Sequence, residues 1–237
     1  MADETVLTAR ELYRFYQAGE EETLALRGVS LRVRRGETLA VVGPSGSGKS
    51  TLLACLAGLD EPSGGEVRVN GVRISHRPET ERARLRARHI GVLLQTRNLL
   101  PHLSIRDNIH LAQRAAAGRP AVPARELLSQ VDLSERAYAL PRQLSGGELA
   151  RAGLAVALAN SPDVLLADEP TGELDGETEQ VVLTLLRDRA ARGCAVLIVT
   201  HSAEAVRVAD RVIGLEDGRA VDVSAEPERQ EAPDVTG

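Results

Sequence analysis

Residues 43–51 read GPSGSGKST. Gly43, Gly48, Lys49 and Ser50 fall at the spacing G-x-x-x-x-G-K-[ST], the pattern of a phosphate-binding loop. Gly43, Gly46 and Gly48 free the backbone for positive φ and let it approach an anion without Cβ clashes. Across Gly43, Pro44, Ser45, Gly46, Ser47, Gly48, Lys49, Ser50 and Thr51, successive N–H groups then form an anion-binding concavity. The run Thr38–Val42 reads as a buried strand entering the loop, and a helix over Lys49–Gly58 leaves it with its positive dipole end toward the ligand. Lys49 is placed for the β- and γ-phosphates and the Ser50 hydroxyl for Mg²⁺. Of 29 Lys and Arg residues, Lys49 is the single lysine. A chain so averse to lysine keeps one where a compact ammonium suits the chemistry better than a planar guanidinium.

A chain of 237 residues with 43% hydrophobic content can bury a core as one large domain with an inserted subdomain. With 2% aromatic residues, that core is made of Leu, Val, Ala and Ile. The net charge of −5 argues against a nucleic-acid partner, which needs a basic face. Cys55 and Cys194 lie in apolar stretches and read as small core residues, in keeping with a reducing compartment. The N-terminus has no apolar leader, and no apolar run approaches the ~20 residues needed to span a bilayer.

The remaining pattern predicts an α/β fold. Thr5–Tyr16 and Leu24–Val33 read as antiparallel strands around an acidic turn, Gly19–Glu22, with a third strand at Glu66–Asn70. A charged helix over Pro78–Arg88 precedes a strand at His89–Leu94. Residues about 96–160 read as an inserted helical subdomain: a helix capped by Ser104, a break at Gly118-Arg119-Pro120, a second helix from Pro123 and a third over Gly146–Asn160. Buried strands return at Val164–Ala167 and Ala195–Thr200, with helices over Glu177–Ala191 and Ser202–Ala209 and closing strands at Arg211–Leu215 and Arg219–Val223. Continuous apolar strands alternating with helices predict a mostly parallel sheet. Residues 1–223 thus read as one domain built around the phosphate-binding loop, and 224–237 as a disordered tail.

The strand Val164–Ala167 runs into Asp168 and Glu169 at its C-terminal edge, where α/β sheets place their ligand sites. Asp168 suits a Mg²⁺ shell and Glu169 a general base that polarises water. Gln95 and His201 also follow apolar strands, within reach of metal or water and of a γ-phosphate respectively. In Leu144-Ser145-Gly146-Gly147-Glu148, Ser145 and Glu148 form a capping box. The same segment reads as a second phosphate-binding helix N-terminus, and on an inserted subdomain it would meet the nucleotide of another molecule.

Taken together, residues 5–223 resemble the ATP-binding subunit of an ABC transporter. GPSGSGKS resembles its Walker A motif, VLLADE its Walker B motif and LSGGE its signature sequence. Gln95 is similar to the Q-loop glutamine, His201 to the switch histidine, and Gly172-Glu173-Leu174-Asp175 to the D-loop, which assigns Asp175 to the nucleotide site. Tyr16, or alternatively Tyr13, is similar in position to the aromatic that stacks on adenine. RHIGVLLQTRNLLPHLS, PRQLSGGE and DEPTGELD resemble the group serving macrolide exporters, lipoprotein-release complexes and division-associated FtsE-type ATPases. Leu149-Ala150 after LSGGE, Leu94 before Gln95 and Glu173 in the D-loop depart from that group. The resemblance implies ATP and Mg²⁺ as ligands and a head-to-tail homodimer sandwiching two ATP molecules. It further implies a separate integral membrane permease docked at Arg97–Leu103 and the helical insertion, and a location on the inner face of the cell membrane. Two other readings of the family are a complex that transmits motion to an extracytoplasmic partner without transport, and a soluble ATPase of DNA repair or ribosomes. The latter's coiled coils or paired cassettes are missing from this sequence. The chain carries no NKxD-type guanine motif. The transported substrate is not written in an ATPase sequence.

Overall fold

The computed structural model describes residues 4–18, 21–96, 98–116 and 122–222. The tail at 224–237, the break at Gly118-Arg119-Pro120 and the turn residues Gly19 and Glu20 lie outside them.

The chain opens with two long strands, β1 (Thr5–Ala18) and β2 (Glu21–Arg34), then β3 (Thr38–Val42), α1 (Lys49–Leu56), β4 (Gly64–Val69) and β5 (Val72–Arg73). There follow α2 (Glu79–His89), β6 (Ile90–Leu93), and three helices, α3 (Ile105–Ala115), α4 (Ala124–Gln130) and α5 (Gly146–Ala157). The last third is β7 (Val164–Asp168), α6 (Gly176–Ala191), β8 (Ala195–Val199), α7 (Ala203–Arg207), β9 (Arg211–Glu216) and β10 (Arg219–Asp222).

Two sheets result. One is antiparallel with order β2-β1-β4-β5; the other has order β10-β9-β3-β8-β7-β6 and is parallel except for the hairpin β9–β10. The α/β class with an antiparallel β-layer matches the sequence reading. Strands β3, β7 and β8 are the continuous apolar runs TLAVV, VLLAD and AVLIV, as strands covered on both faces must be.

The parallel sheet divides the interior in two. Val164 and Leu166 of β7, with Leu197 and Val199 of β8, join one core with the antiparallel sheet and α1. Leu165, Ala167, Val196 and Ile198 of the same strands join a second core with α3–α6. This is the period-2 alternation of strand side chains acting on two separate packings.

Several expected boundaries shift. Glu21 and Glu22 belong to β2 rather than to a turn, and β1 continues to Ala18. The helix read as Gly146–Asn160 stops at Ala157, and beyond its end the Asn160 side-chain amide turns inward to donate to Ala87 O (3.1 Å) and Ala112 O (2.9 Å). The helix read as Lys49–Gly58 stops at Leu56, and Gly58 takes φ +64° beyond its end. The helix read as Ser202–Ala209 is the shorter α7, with Ser202 as its N-cap. Ser104 caps α3 as expected, its hydroxyl accepting from Asp107 N.

Candidate functional site

The loop between β3 and α1 forms one wall of a cavity of about 810 Å³. Gly43, Ser45, Gly46, Gly48, Lys49, Ser50 and Thr51 line it. Gly43 and Gly48 are required by contact as well as by φ. A Cβ on Gly43 would stand 2.1 Å from Leu215 O, and one on Gly48 2.4 Å from Ala25 O. Lys49 Nζ donates to Gly43 O and Pro44 O, each at 2.8 Å, so the ammonium lies folded over the loop's own carbonyls. Pro44 and Ser47 serve the loop from outside the cavity lining. Ser47 is buried, its N–H donates to Pro44 O at 3.3 Å, and its carbonyl accepts from Gly218 N at 3.0 Å.

The opposite wall comes from the ends of the parallel strands. Asp168 closes β7 and Glu169 follows it with φ +45°, a conformation uncommon outside glycine. Gln95, just after β6, and His201, just after β8, reach the same cavity. Three neighbouring strand ends therefore deliver four side chains to one place, as open α/β sheets do. Burial pushes the Asp168 carboxyl above the ordinary carboxylate range; the Glu169 charge adds to this, while a Ser50 hydrogen bond and Lys49 oppose it. Glu169 is held by His201: Nδ1 lies 2.8 Å from Oε1, and the His201 main-chain N–H donates to Oε2 at 3.3 Å.

Tyr16 lines the cavity and Tyr13 does not. The Tyr13 ring packs on Gly64 instead, with its hydroxyl beside Gly28. The Tyr16 hydroxyl donates to Asp60 Oδ2 at 2.7 Å, and the Arg14 guanidinium stacks 4.4 Å from its ring centroid. The tyrosine is thus fixed by an Arg14–Asp60 ion pair of 2.8 Å beneath it.

Ser145, Gly146, Gly147, Glu148 and Asp175 do not line this cavity. Ser145 caps α5 in the expected box: its hydroxyl accepts from Glu148 N at 3.2 Å, and Glu148 Oε2 accepts from Ser145 N at 2.8 Å. The Ser145 N–H and the Arg136 guanidinium hold the Glu148 carboxyl below its usual range. Asp175 caps α6 by accepting from Thr178 N, which lowers its pKa as well. Gly146 faces a smaller cavity of about 300 Å³ walled by Leu94, Leu149, Ala150 and Leu174, which meets the first one at Gln95 and Glu169.

Sequence reasoning missed part of the lining: Thr23, Leu24, Ala25 and Arg27 of β2, and Asp217-Gly218 of the β9–β10 turn. The turn is anchored on both sides, by Gly218 N to Ser47 O and by Arg27 N to Gly218 O at 2.7 Å. The Asp-Gly turn was visible in the sequence. Its position against a loop some 170 residues earlier follows only from the β3–β9 pairing.

A family model described as ABC transporter matches residues 26–172. The chain belongs to the ABC transporter family. It is 42% identical over 218 residues to an uncharacterized ABC transporter ATP-binding protein of Thermotoga maritima, covering 90% of this chain and 93% of that one. It is 41% identical over 239 residues to the macrolide export ATP-binding/permease protein MacB of Burkholderia pseudomallei, covering 98% of this chain but 36% of MacB. The chain spans about a third of the length of the MacB relatives it matches. A solved dimer of the ATP-binding cassette MJ0796, in a post-hydrolysis state with ADP and Pi, superposes with a TM-score of 0.83 at 34% identity over 90% of this chain and 95% of that one. This ABC domain is accordingly an ATP-binding, ATPase-type cassette. Among the described residues no helix is long and apolar enough to cross a membrane.

Proposed function

We propose that this ABC cassette binds ATP with Mg²⁺ in the cavity between the loop at 43–51 and the strand ends. We propose further that it hydrolyses ATP as a head-to-tail homodimer, and that this cycle drives a membrane permease, most plainly one of an export type. The observation that carries the reading is the meeting of Lys49, Ser50, Gln95, Asp168, Glu169 and His201 around one cavity.

The residues fit the ligands. Gly43 and Gly48 keep open a cradle that a Cβ could not enter. Ser50 lies close enough to Asp168 to favour its charged form. They supply the neutral and anionic oxygens that Mg²⁺ prefers, and Gln95 can add an amide oxygen. Bound Mg²⁺ would neutralise charge on the phosphates. Lys49 would exchange its two carbonyl acceptors for phosphate oxygens. Tyr16 would offer the adenine the ring face not covered by Arg14. Glu169 would take the proton of the attacking water, with His201 orienting the carboxylate.

The Ser145–Glu148 segment and Asp175 stand apart from this cavity in the single chain. They find use if a second copy brings its own helix N-terminus to the exposed side of the nucleotide, and the dimeric state of the MJ0796 cassette supports that arrangement. MacB relatives named as ATP-binding/permease proteins support a permease partner and an export system, and a cassette coupled to such a permease would sit on the inner face of the membrane.

Glu169→Gln tests the proposal. The variant should bind ATP with little change, lose hydrolysis by about 10²–10⁴-fold, and form an ATP-dependent dimer seen by light scattering. Wild-type turnover would remove Glu169 from the mechanism, and a monomer at saturating ATP would remove the dimer.

A further inference from the structure

The outer face of the antiparallel sheet carries a concentration of arginine opposite in sign to the chain as a whole. On β2, Arg32 and Arg34 are exposed and alternate with buried Leu31 and Val33. Together with Arg10 and Arg211 they line a groove of about 620 Å³, in which Glu11 is the one acidic lining residue among those described. Arg211 is committed to Glu37, and Arg10 lies 3.7 Å from Glu66. Arg32 and Arg34 differ. Outside the strand ladder, Arg32 O accepts from Arg211 and Arg34 N–H donates to Glu37, so among the described residues both engage through main-chain atoms. Their guanidinium groups stand next to one another along one strand face, opposite Thr8 and Thr5 on β1. Like charges on neighbouring sheet positions repel unless an anion lies between them.

The topology supplies an anion beside this groove. Strand β10 runs antiparallel to β9, with Arg219 opposite Glu216 and Asp222 opposite Ile213. β10 therefore ends two positions short of Arg211, which lies at the groove's rim. The next residues, 223–237, hold Glu226, Glu228, Glu231 and Asp234 against the single basic Arg229. Twelve residues from Val223 to Asp234 reach about 40 Å when extended, far enough to cross the groove.

We propose that the acidic segment 223–237 docks in the arginine groove of its own chain, with its carboxylates between Arg32, Arg34 and Arg10. Its tether gives it an effective concentration in the millimolar range, an advantage over any free anion. The contact is electrostatic and solvent-exposed, so it is shallow and salt-sensitive. It hides a basic surface from polyanions such as nucleic acid.

The test uses the full chain carrying Arg32→Lys. This puts a reactive amine in the groove of a protein whose only other lysine is Lys49. Zero-length carbodiimide coupling followed by peptide mass spectrometry reads which carboxylates lie against it. The expected result is adducts to Glu226, Glu228 or Glu231 that fall at least tenfold in 1 M salt, where the screening length is about 3 Å. Coupling to Glu11 with no tail adduct would overturn the proposal, since the amine would then be reactive and the tail elsewhere. Tail adducts indifferent to salt would overturn it as well, by showing tethered proximity without charge pairing. In a mixture of isotopically heavy and light chains, heavy–light adducts would assign the groove to a second copy's tail and reject docking in cis.

Discussion

His201 Nδ1 lies 2.8 Å from Glu169 Oε1, while the same residue's main-chain N–H donates to the other carboxylate oxygen. One histidine thus fixes both oxygens of the acid proposed to activate water. The imidazole is largely exposed, at 71%, and the carboxylate largely covered, at 14%, so the solvent side of the pair is the histidine. Removing the ring leaves the main-chain donor and frees one oxygen. His201→Ala should therefore keep ATP affinity within a few-fold and lower kcat by about 10²–10³-fold, the scale of losing one positioned polar group. Steady-state kinetics beside nucleotide titration check this; unchanged kcat would assign the pair to structure alone.

Lys49 tests the loop. Its ammonium donates to Gly43 O and Pro44 O. Lys49→Ala should fold, because the carbonyls it leaves are accessible to water, yet lose both hydrolysis and the rise in Tm that ATP gives the parent. A thermal melt with and without nucleotide reads both.

Asp168 gives a pH signature. Burial raises its folded pKa above the unfolded value of about 3.9. The folded state therefore binds that proton more tightly than the unfolded one. The stability this group contributes is full below pH about 3.9 and is lost as pH rises through the raised folded pKa. At neutral pH its charge is a cost. Asp168→Asn, which keeps an acceptor for Ser50, should melt higher than the parent at pH 7.5 without nucleotide. The difference should shrink as pH falls toward 4, and Mg²⁺-dependent stabilisation by ATP should vanish. A lower Tm at pH 7.5 would reverse the sign and reject this account.

Gly43 gives a steric test within the phosphate-binding loop itself. A Cβ there would meet Leu215 O at 2.1 Å and Ser47 Oγ at 2.9 Å, and φ is +155°. Gly43→Ala should destabilise the fold by about 1–3 kcal/mol, the usual cost of overpacking. Denaturant titration measures it, and a Cm equal to the parent's would show that β9 yields.

Much of this was legible in the sequence for a physical reason. The stretch 43–51 needs glycine, lysine and serine at fixed offsets, and apolar strands that end in Asp168, Gln95 or His201 announce their own C-terminal edge. What was not legible depends on pairing across the chain. Tyr13 and Tyr16 are indistinguishable until the shifts in register along β1 turn one onto Gly64 and the other into the cavity. Asp217 and Gly218 look like any hairpin turn until β9 pairs with β3. Past the early end of α5, the Asn160 amide finds acceptors on α2 and α3, partners that no local pattern could name.

The strands β7 and β8 feed alternate residues into two different cores. Such a wall behaves as a bulkhead: close packing on both sides prevents it from bowing toward either without opening voids on the other. Displacement of the helices α3–α5 against the nucleotide-side layer must then be absorbed at the rim of the wall, in the short crossings that leave β6 and enter β7. Gln95 sits on the first of these crossings, and Asp168 and Glu169 at the far end of the strand the second one feeds. Asp168 and Glu169 are thereby bolted to the stiff part of the molecule, and the compliance is concentrated at the crossing that carries Gln95, where a partner pulling on the helical segment can reach it.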